Sequence, residues 1–411
     1  MKALFLTRSY PNFNRSATTL CTKRLIECMA KQSDFEVDCL CYQLNGEKLE
    51  DNIGGINIVR VERTPWMVLV GLLEKQPKIQ NFLLKFQKLI TMFFFPCIDP
   101  FMYLRYKICA NDLVQSNNYD IIIAEHHGYI TLMTGYALKT KYPNIKYYPV
   151  LWDPILGQTK PAFLPHWYVE KRILECENKV NSAADKIFSI KAAERIYANY
   201  ADTAGNKRIF YDIPSILPPI STSPTKYQSL IKKGKINIIF SGLLGVPNRD
   251  PKYIVSLMNM TSMAEQINLL FFSRGLKESE KNVMQKSFKG NIVFHDYIPL
   301  NDLYSIYSQS DYLLNISHTN ANMTPSKIFE YMSYGKPIIS TFITDGDAAK
   351  QYLDQYPESL VIDQKCNKDV NIRSIEKFLS KKHENVNFDV VQKLFPMNTP
   401  EKFVEILRSL N

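Results

Sequence analysis

Two series of short apolar runs, each run separated from the next by a segment of about helix length, constrain this chain more than any other feature in it. The first series is KALFLT (2–7), FEVDCLCY (35–42), INIVRV (56–61), YDIIIAEH (119–126), IKYYPVLWD (145–153) and DKIFSIK (185–191). The second is KINIIFSG (235–242), INLLFFS (267–273), NIVFHDY (291–297), DYLLNIS (311–317), KPIISTF (336–342) and SLVI (359–362). Runs that are apolar throughout suit strands covered on both faces, and their alternation with helical segments suits a mostly parallel sheet. The fold class that follows is α/β, with two Rossmann-like doubly wound domains facing across a cleft, and ligands in such sheets bind beyond the carboxyl ends of the strands.

The boundaries follow from the same pattern. The N-terminal domain spans 1–210 and is interrupted by an apolar and basic insertion at 65–108. Residues 211–234, rich in proline and closing on Lys-Lys-Gly, have the look of a connector. The C-terminal domain covers 235–395. Residues 396–411 form a final helix in which Phe403, Ile406 and Leu407 share one face, and that face must dock on one of the two domains.

A length of 411 residues accommodates two such cores. Fifty Lys and Arg against forty Asp and Glu give a net charge of +10, which favours an anionic partner without naming it. There is no zinc spacing or RNP-like pair, so no nucleic-acid partner is expected. The eight cysteines at 21, 28, 39, 41, 97, 109, 176 and 366 include no Cys-x-x-Cys pair and read as structural thiols of a reducing compartment. The amino terminus opens on a strand pattern rather than a secretory segment, and 89–104 is broken by Pro96, Asp99 and Pro100. The expected location is cytoplasmic.

The stretch NMTPSKIFEYMSYGKPIISTF (322–342) carries the chemistry. Thr324 as N-cap and Pro325 as first residue start a helix running to about Tyr334. Free amides of its first turn, with Ser326 and Lys327, suit a phosphate or pyrophosphate. Glu330 lies deeper, among Ile328, Phe329 and Met332, where a carboxylate needs donors. Two ribose hydroxyls would supply them, and so would an ion pair with Lys327 three residues back. Gly335 ends the helix.

The run PSKIFEYMSYGKPII, preceded by SDYLLNIS and IPLNDLYSIY, resembles the C-terminal domain of retaining nucleotide-sugar glycosyltransferases of the GT-B architecture, the family numbered four. The resemblance covers the whole chain in layout, 236–345 in motifs, and is strongest over 299–340. It implies a hexosyl transfer with retention from a nucleotide-diphosphate sugar, a UDP-sugar foremost, to a saccharide or lipid-linked saccharide acceptor, with no cofactor and no metal ion. No Asp-x-Asp metal pair is read in the chain.

In that family two glutamates with seven residues between them flank the donor, the later one on the ribose. The later matches Glu330, while the earlier position holds Asn322, a departure that leaves the donor-sugar contact open. The family's glycine-rich loop and basic pair match Gly242, Gly245, Arg249 and Lys252. Glycine lets backbone approach phosphate oxygens, and a guanidinium neutralises charge on the departing diphosphate. Arg249 as a solvated surface charge is the alternative. Arg274, Tyr297 beside His295, and Ser317 with Asn315 stand at strand ends on the donor side.

In the N-terminal domain the resemblance implies a histidine near the reacting sugar. Of His126 and His127, the second is favoured because it abuts Gly128. Asp153, with Arg8, Tyr10, Asn14 and Arg15, takes an acceptor-side position. Catalytic roles fall to His127, Arg249, Lys327 and Glu330.

The insertion at 65–108 mixes Trp66, several Phe and Leu, and Lys75, Lys78, Lys85, Lys88, Arg105 and Lys107. Interfacial helices combine residues in this way, so an anionic membrane surface is an expected partner, with domain packing or a dimer contact as the alternative. With it goes a lipid-linked acceptor in cell-surface polysaccharide or glycoconjugate synthesis, the protein lying peripherally on the inner face of the plasma membrane. A non-catalytic nucleotide- or glycan-binding protein of this fold, suggested by Asn322, and a nucleotide-sugar epimerase are the competing readings.

Overall fold

Hydrogen bonding between the apolar runs is parallel almost throughout, which places every loop that follows a strand at the same edge of its sheet. The computed structural model describes residues 1–10, 17–44, 46–73, 76–91, 94–97, 99–126, 128–152, 164–199, 203–220, 224–245, 249–318 and 325–410. The chain divides into two compact units, Met1–Pro214 with Pro400–Asn411, and Ser215–Thr399. Of the stretch 211–234, residues from Ser215 onward thus belong with the second unit.

The first unit contains β1 (Lys2–Leu6), β2 (Glu36–Tyr42), β3 (Glu50–Ile53), β4 (Ile56–Val61), β5 (Ile121–Glu125), β6 (Lys146–Leu151), β7 (Ile187–Ile190) and β8 (Arg208–Tyr211). Their order across the sheet is β3-β4-β2-β1-β5-β6-β7-β8. On one side β1 sets Lys2 opposite Glu36 and Leu6 opposite Leu40. On the other it sets Ala3 opposite Ile121. The apolar runs anticipate six of these strands. Polar β3, all of it exposed, and short β8 add an edge each, β3 antiparallel to β4.

The helices of this unit are α1 (Ala17–Ala30), α2 (Pro65–Leu72), α3 (Pro77–Thr91), α4 (Pro100–Ser116), α5 (Tyr129–Lys141), α6 (His166–Ala183) and α7 (Glu194–Asn199). Met102, Tyr106, Ala110 and Val114 form the buried stripe of α4. The Tyr106 hydroxyl reaches the carbonyls of Thr7 and Leu40, which ties this helix to the carboxyl edge of the sheet.

The terminal helix (Pro400–Ser409) packs on α1 with Phe403, Val404 and Leu407 buried. Phe403 meets Phe188 at 4.7 Å and Tyr211 at 5.5 Å between ring centroids. Each buried side chain of this size contributes roughly 1.5–3 kcal/mol. The exposed pair of Arg408 with Asp34 (2.6 Å) is screened by solvent, so the apolar face decides where the helix docks.

The second unit contains β9 (Ile236–Leu243), α8 (Lys252–Met260), β10 (Ile267–Arg274), α9 (Glu278–Ser287), β11 (Asn291–His295), α10 (Leu300–Gln309), β12 (Tyr312–Ile316), α11 (Lys327–Ser333), β13 (Ile338–Phe342), α12 (Lys350–Leu353), β14 (Ser359–Asp363), α13 (Lys368–Ser380) and α14 (Phe388–Leu394). Its six strands, all foreshadowed by apolar runs, pair in parallel in the order β11-β10-β9-β12-β13-β14. Ile238, Phe240, Phe271, Leu314 and Ile339 face Leu257, Met258 and Ile375 in one buried cluster.

Helix α11 begins at Lys327, with Ser326 in helical conformation before it and making no side-chain cap bond. It is thus shorter than expected at its amino end. Thr324 lies outside the described residues. At its other end Gly335 adopts φ 67°, and a Cβ there would lie 2.3 Å from the carbonyl oxygen of Val386. Val386 in turn donates to the Gly335 carbonyl at 2.8 Å, so neither backbone segment has room to retreat. Gly335→Ala is therefore expected to destabilise the second unit by about 1–3 kcal/mol, read as a lower urea midpoint with an unchanged slope.

Candidate donor site at the switch point of the second unit

From β9 the chain proceeds to β10 on one side of the sheet, while β12 pairs with β9 on the other. The loops after β9 and β12 therefore diverge and leave a crevice at the carboxyl edge, where ligands of doubly wound sheets bind. Gly242 lies near the end of β9, Gly245 and Arg249 follow it, and Ser317 and His318 follow β12.

Gly245 and Arg249 exchange backbone hydrogen bonds in both directions, at 3.0 and 2.8 Å. This tight return brings the Arg249 guanidinium back over the strand end, where a Cβ added to Gly242 would lie 3.7 Å from its Nη1. At the neighbouring exit of β10, Gly275 has φ 102°, and a Cβ there would meet the Leu244 carbonyl oxygen at 1.9 Å. Only glycine allows these two turns to run side by side.

The Arg249 Nε is buried and has no hydrogen-bond partner among the described residues. Burial holds this guanidinium below its ordinary pKa, while Tyr331, Tyr297 and Asp347 favour its charge. Burial raises the Asp347 carboxyl, against the Ser317 hydroxyl, the amides of Ala349 and Lys350, and Arg249. The Ser317 Oγ stands beside that carboxyl without full hydrogen-bond geometry. His318 is held below its usual value by burial and by Arg249, with Asp347 opposing. A cation, a carboxyl and an imidazole thus share one desolvated neighbourhood. A half-buried guanidinium with a buried donor to spare is suited to a phosphate oxygen.

Glu330 on α11 is buried, 4% exposed, and its Oε2 accepts from Lys327 Nζ at 2.6 Å. The ion pair foreseen as one reading of this spacing is therefore formed. The Lys327 side chain keeps 27% of its surface, so its ammonium stays accessible.

Two tyrosines fix α11 to the strand end. Ser241 N donates to the Tyr331 hydroxyl at 3.1 Å, and the Ser241 hydroxyl bonds to that of Tyr307 on α10. The Tyr307 and Tyr331 rings meet edge to face at 5.3 Å. Burial raises both phenols, so they remain neutral hydroxyls. Ser241 immediately precedes Gly242, so the Arg249 loop and the Glu330 helix are held by one network.

Other expected donor-side residues are placed further out or packed. Lys252 turns to Glu280 at 2.8 Å, with half its side chain exposed, so it is committed to α9 instead of forming a basic pair with Arg249. Arg274 pairs with Asp296 and lies over the Tyr297 ring at 4.9 Å. His295 donates from Nδ1 to the Asp296 carbonyl at 2.7 Å and packs against Tyr227 and Phe272, a structural arrangement. Asn315 donates to Ser340 Oγ at 2.8 Å. Asn322 and Thr324 lie outside the described residues.

One expectation about metal motifs is corrected here. Asp345-Gly346-Asp347 does have Asp-x-Asp spacing. Its carboxylates are nevertheless separately engaged. Exposed Asp345 pairs with Lys365 at 3.0 Å, and buried Asp347 accepts from Ala349 N at 2.8 Å.

In the first unit β1 and β5 flank the corresponding switch point. Thr7 leaves β1 and donates through Oγ1 to Glu125 Oε2, at the end of β5. Glu125 is fully buried, and desolvation pushes its carboxyl up to about 7, against Thr7, Thr22 and Arg8. Thr131 donates to the Glu125 carbonyl at 2.5 Å and closes the turn into α5. His126 is buried and packs edge to face on Tyr129 at 5.6 Å.

His127, Asn14, Arg15 and Asp153 lie outside the described residues. Arg8 is exposed. Tyr10 is 2% exposed, with its carbonyl facing Arg60 Nη2 at 3.5 Å. It is a packing residue, so its acceptor-side assignment is withdrawn. Sequence reasoning missed Glu125, His318 and Asp347. Glu125 is the lone acid closing the apolar run IIIAE, a signal that was present.

The Glu125 carboxyl keeps its proton in the folded chain up to about pH 7, whereas its ordinary value is 4.5. Folding therefore takes up a proton between these values. The contribution of Glu125 is complete below about pH 4.5 and is lost as pH rises through 7. Glu125→Gln, which stays neutral, is expected to flatten the fall of stability across this window by roughly 3 kcal/mol, measured by urea unfolding at a series of pH values.

Residues 235–370 match the family described as Glycosyl transferases group 1. No curated protein matches the chain. Solved structures are similar to it over its whole length. HepE of Anabaena in complex with UDP-glucose is 12% identical, with 100% of each chain covered and a TM-score of 0.60. The α,α-trehalose-phosphate synthase (UDP-forming) of Burkholderia xenovorans, in complex with glucose-6-phosphate, is 12% identical, with 100% of each chain covered and a TM-score of 0.63. The lipopolysaccharide outer core galactosyltransferase WaaB is 12% identical, covering 100% of this chain and 99% of that one, with a TM-score of 0.58. At these identities the likeness establishes the fold, two Rossmann-like domains of the GT-B type. The segment that matches the family is the one that carries Arg249, Lys327 and Glu330, on a chain with the GT-B fold.

Proposed function

We propose that this protein is a glycosyltransferase that moves a hexose from a nucleoside diphosphate sugar, a UDP-sugar foremost, to a saccharide acceptor with retention of anomeric configuration. The single observation that carries the donor assignment is the half-buried Arg249, whose buried Nε has no partner among the described residues, at the switch point of the second unit. In this reading the Arg249 guanidinium takes the diphosphate oxygens and stabilises the charge that grows on them as the glycosidic bond breaks. Lys327 exchanges Glu330 for the same diphosphate, and the freed Glu330 carboxylate accepts from the two ribose hydroxyls. Gly242 and Gly245 admit the phosphates close to backbone.

Retention is supported by the resemblance of 299–340 to a retaining family. The uridine preference is supported by the UDP-glucose bound to HepE and by the UDP-forming trehalose-phosphate synthase. WaaB, a lipopolysaccharide outer core galactosyltransferase, supports a lipid-linked acceptor in surface glycoconjugate assembly, worked on by a cytoplasmic protein at a membrane face. Acceptor binding is assigned to the first unit, with His127, Asp153 and the loop of Arg8, Asn14 and Arg15 as its contacts. Countercharge for the leaving group is assigned to Arg249 and Lys327 without a metal ion.

Screening nucleoside diphosphates and their sugars by thermal shift should reveal a stabilising ligand, since binding to the folded state alone raises the apparent melting temperature. Arg249→Ala is expected to lower donor turnover on the order of 100-fold or more, followed as nucleoside diphosphate release. Glu330→Gln should remove most of the preference for ribonucleotide over 2′-deoxyribonucleotide. Undiminished release by the Arg249 variant would overturn the donor assignment, and binding without any turnover would favour a non-catalytic protein.

A further inference from the structure

Helix α2, PWMVLVGL, is apolar at nearly every position, yet none of its residues is buried. Helix α3 turns Ile79, Phe82, Phe86 and Leu89 outward, and their spacing of three and four places them on one face. Helix α4 is apolar on two faces. Its inner stripe is spent on the sheet, whereas Phe101, Leu104 and Ile108 form a second stripe facing water. Leu72, Phe82 and Phe101 are 77%, 67% and 75% exposed.

Of the 23 large hydrophobic residues exposed among those described, 11 fall between Val68 and Ile108. A tenth of the chain thus holds nearly half of them, which is a concentration and not the usual scatter. A helix that is apolar all round requires cover. The three helices are also joined: Gln80 on α3 donates to the Val70 carbonyl of α2 at 3.1 Å, and Arg105 of α4 donates to the Arg63 carbonyl beside α2 at 3.2 Å.

Charge selects the cover. Residues 65–108 contain six Lys and Arg against two acids, Glu74 and Asp99. Asp99 is already used, capping α4 through Met102 N at 2.9 Å. Lys78, Lys85 and Lys107 are without an acidic partner among the described residues, and the first two adjoin the apolar face of α3. Their long stems can lie along apolar surface while the ammonium reaches a polar boundary. A second copy of this chain would bring the same excess of positive charge against itself. A bilayer rich in anionic headgroups offers an apolar interior for the rings and negative charge for the lysines. No helix among the described residues is long and apolar enough to cross a membrane, so these helices would lie in the interface.

We propose that α2, α3 and the outer face of α4 together form a docking surface for an anionic lipid bilayer. The proposal deepens the reading of a lipid-linked acceptor, and it stands on residues apart from the donor site. Docking by this surface brings an acceptor anchored in the same bilayer within reach without any pocket for its lipid tail.

The test is flotation of the full chain with vesicles of phosphatidylcholine alone and of phosphatidylcholine mixed with phosphatidylglycerol, at low and high salt. The chain should float with the mixed vesicles at low salt, and less at high salt. Lys78→Glu with Lys85→Glu should reduce partitioning by about tenfold or more. Phe82→Ser with Phe86→Ser should abolish it at both salts. These positions are exposed, so the melting temperature and the nucleotide-induced thermal shift should stay as in the parent chain. That control separates a failed docking surface from a failed donor site. Equal binding to both vesicle types, no binding, or binding untouched by either double variant would overturn the proposal. So would a dimer seen by light scattering that the Phe82 and Phe86 changes dissolve, which would assign the surface to self-association.

Discussion

Strand β9 pairs in parallel with β10 on one side and β12 on the other, and the rest of the second unit depends on that arrangement. Parallel pairing sends each connection to the same edge. Reversal of winding direction at β9 opens that edge, because no crossover covers it. Gly242 at the end of β9 and Gly245 beyond it then allow the chain to fold back so that Arg249 returns over the strand end. Without the switch point, Arg249 would be one more surface cation.

The hydroxyl network of Ser241, Tyr307 and Tyr331 converts this opening into a site with defined components. Neutral phenols hold α11 against the strand end, so the Lys327–Glu330 pair and the Arg249 loop keep a common frame. Their electrostatics follow from burial. Desolvation weakens both the guanidinium and the Asp347 carboxylate relative to water, and each restores part of the other's charge. Such a pair has little to lose when an anion arrives to complete the coordination of the guanidinium, because its cost of leaving water has already been met in folding.

The first unit applies the same topology to different chemistry. Its switch point between β1 and β5 holds a carboxyl that burial keeps protonated, with a threonine donor, in place of a cation. Its inserted helices meanwhile carry apolar surface outward. The second unit thus concentrates partly buried positive charge at its strand ends, and the first presents an apolar and basic face to its surroundings.

Most strands of both sheets were legible in the amino-acid sequence, because two-sided burial demands unbroken apolar runs. The second unit's six strands are the clearest case. Polar β3 was not legible, since an exposed edge strand needs no apolar residue, and β8 was too short to stand out. Glu330, Lys327 and Arg249 were recognisable because helix starts and post-strand glycines are local patterns. What local pattern cannot carry is the partner a side chain takes from elsewhere in the fold. Lys252 went to Glu280 on another helix, Tyr10 went into the core, and Asp347 and His318 reached Arg249 from separate strand ends. Sequence alone determined the element types and the residue classes at strand ends. Tertiary structure alone decided which charges are desolvated together, since that depends on distances between segments far apart in the chain.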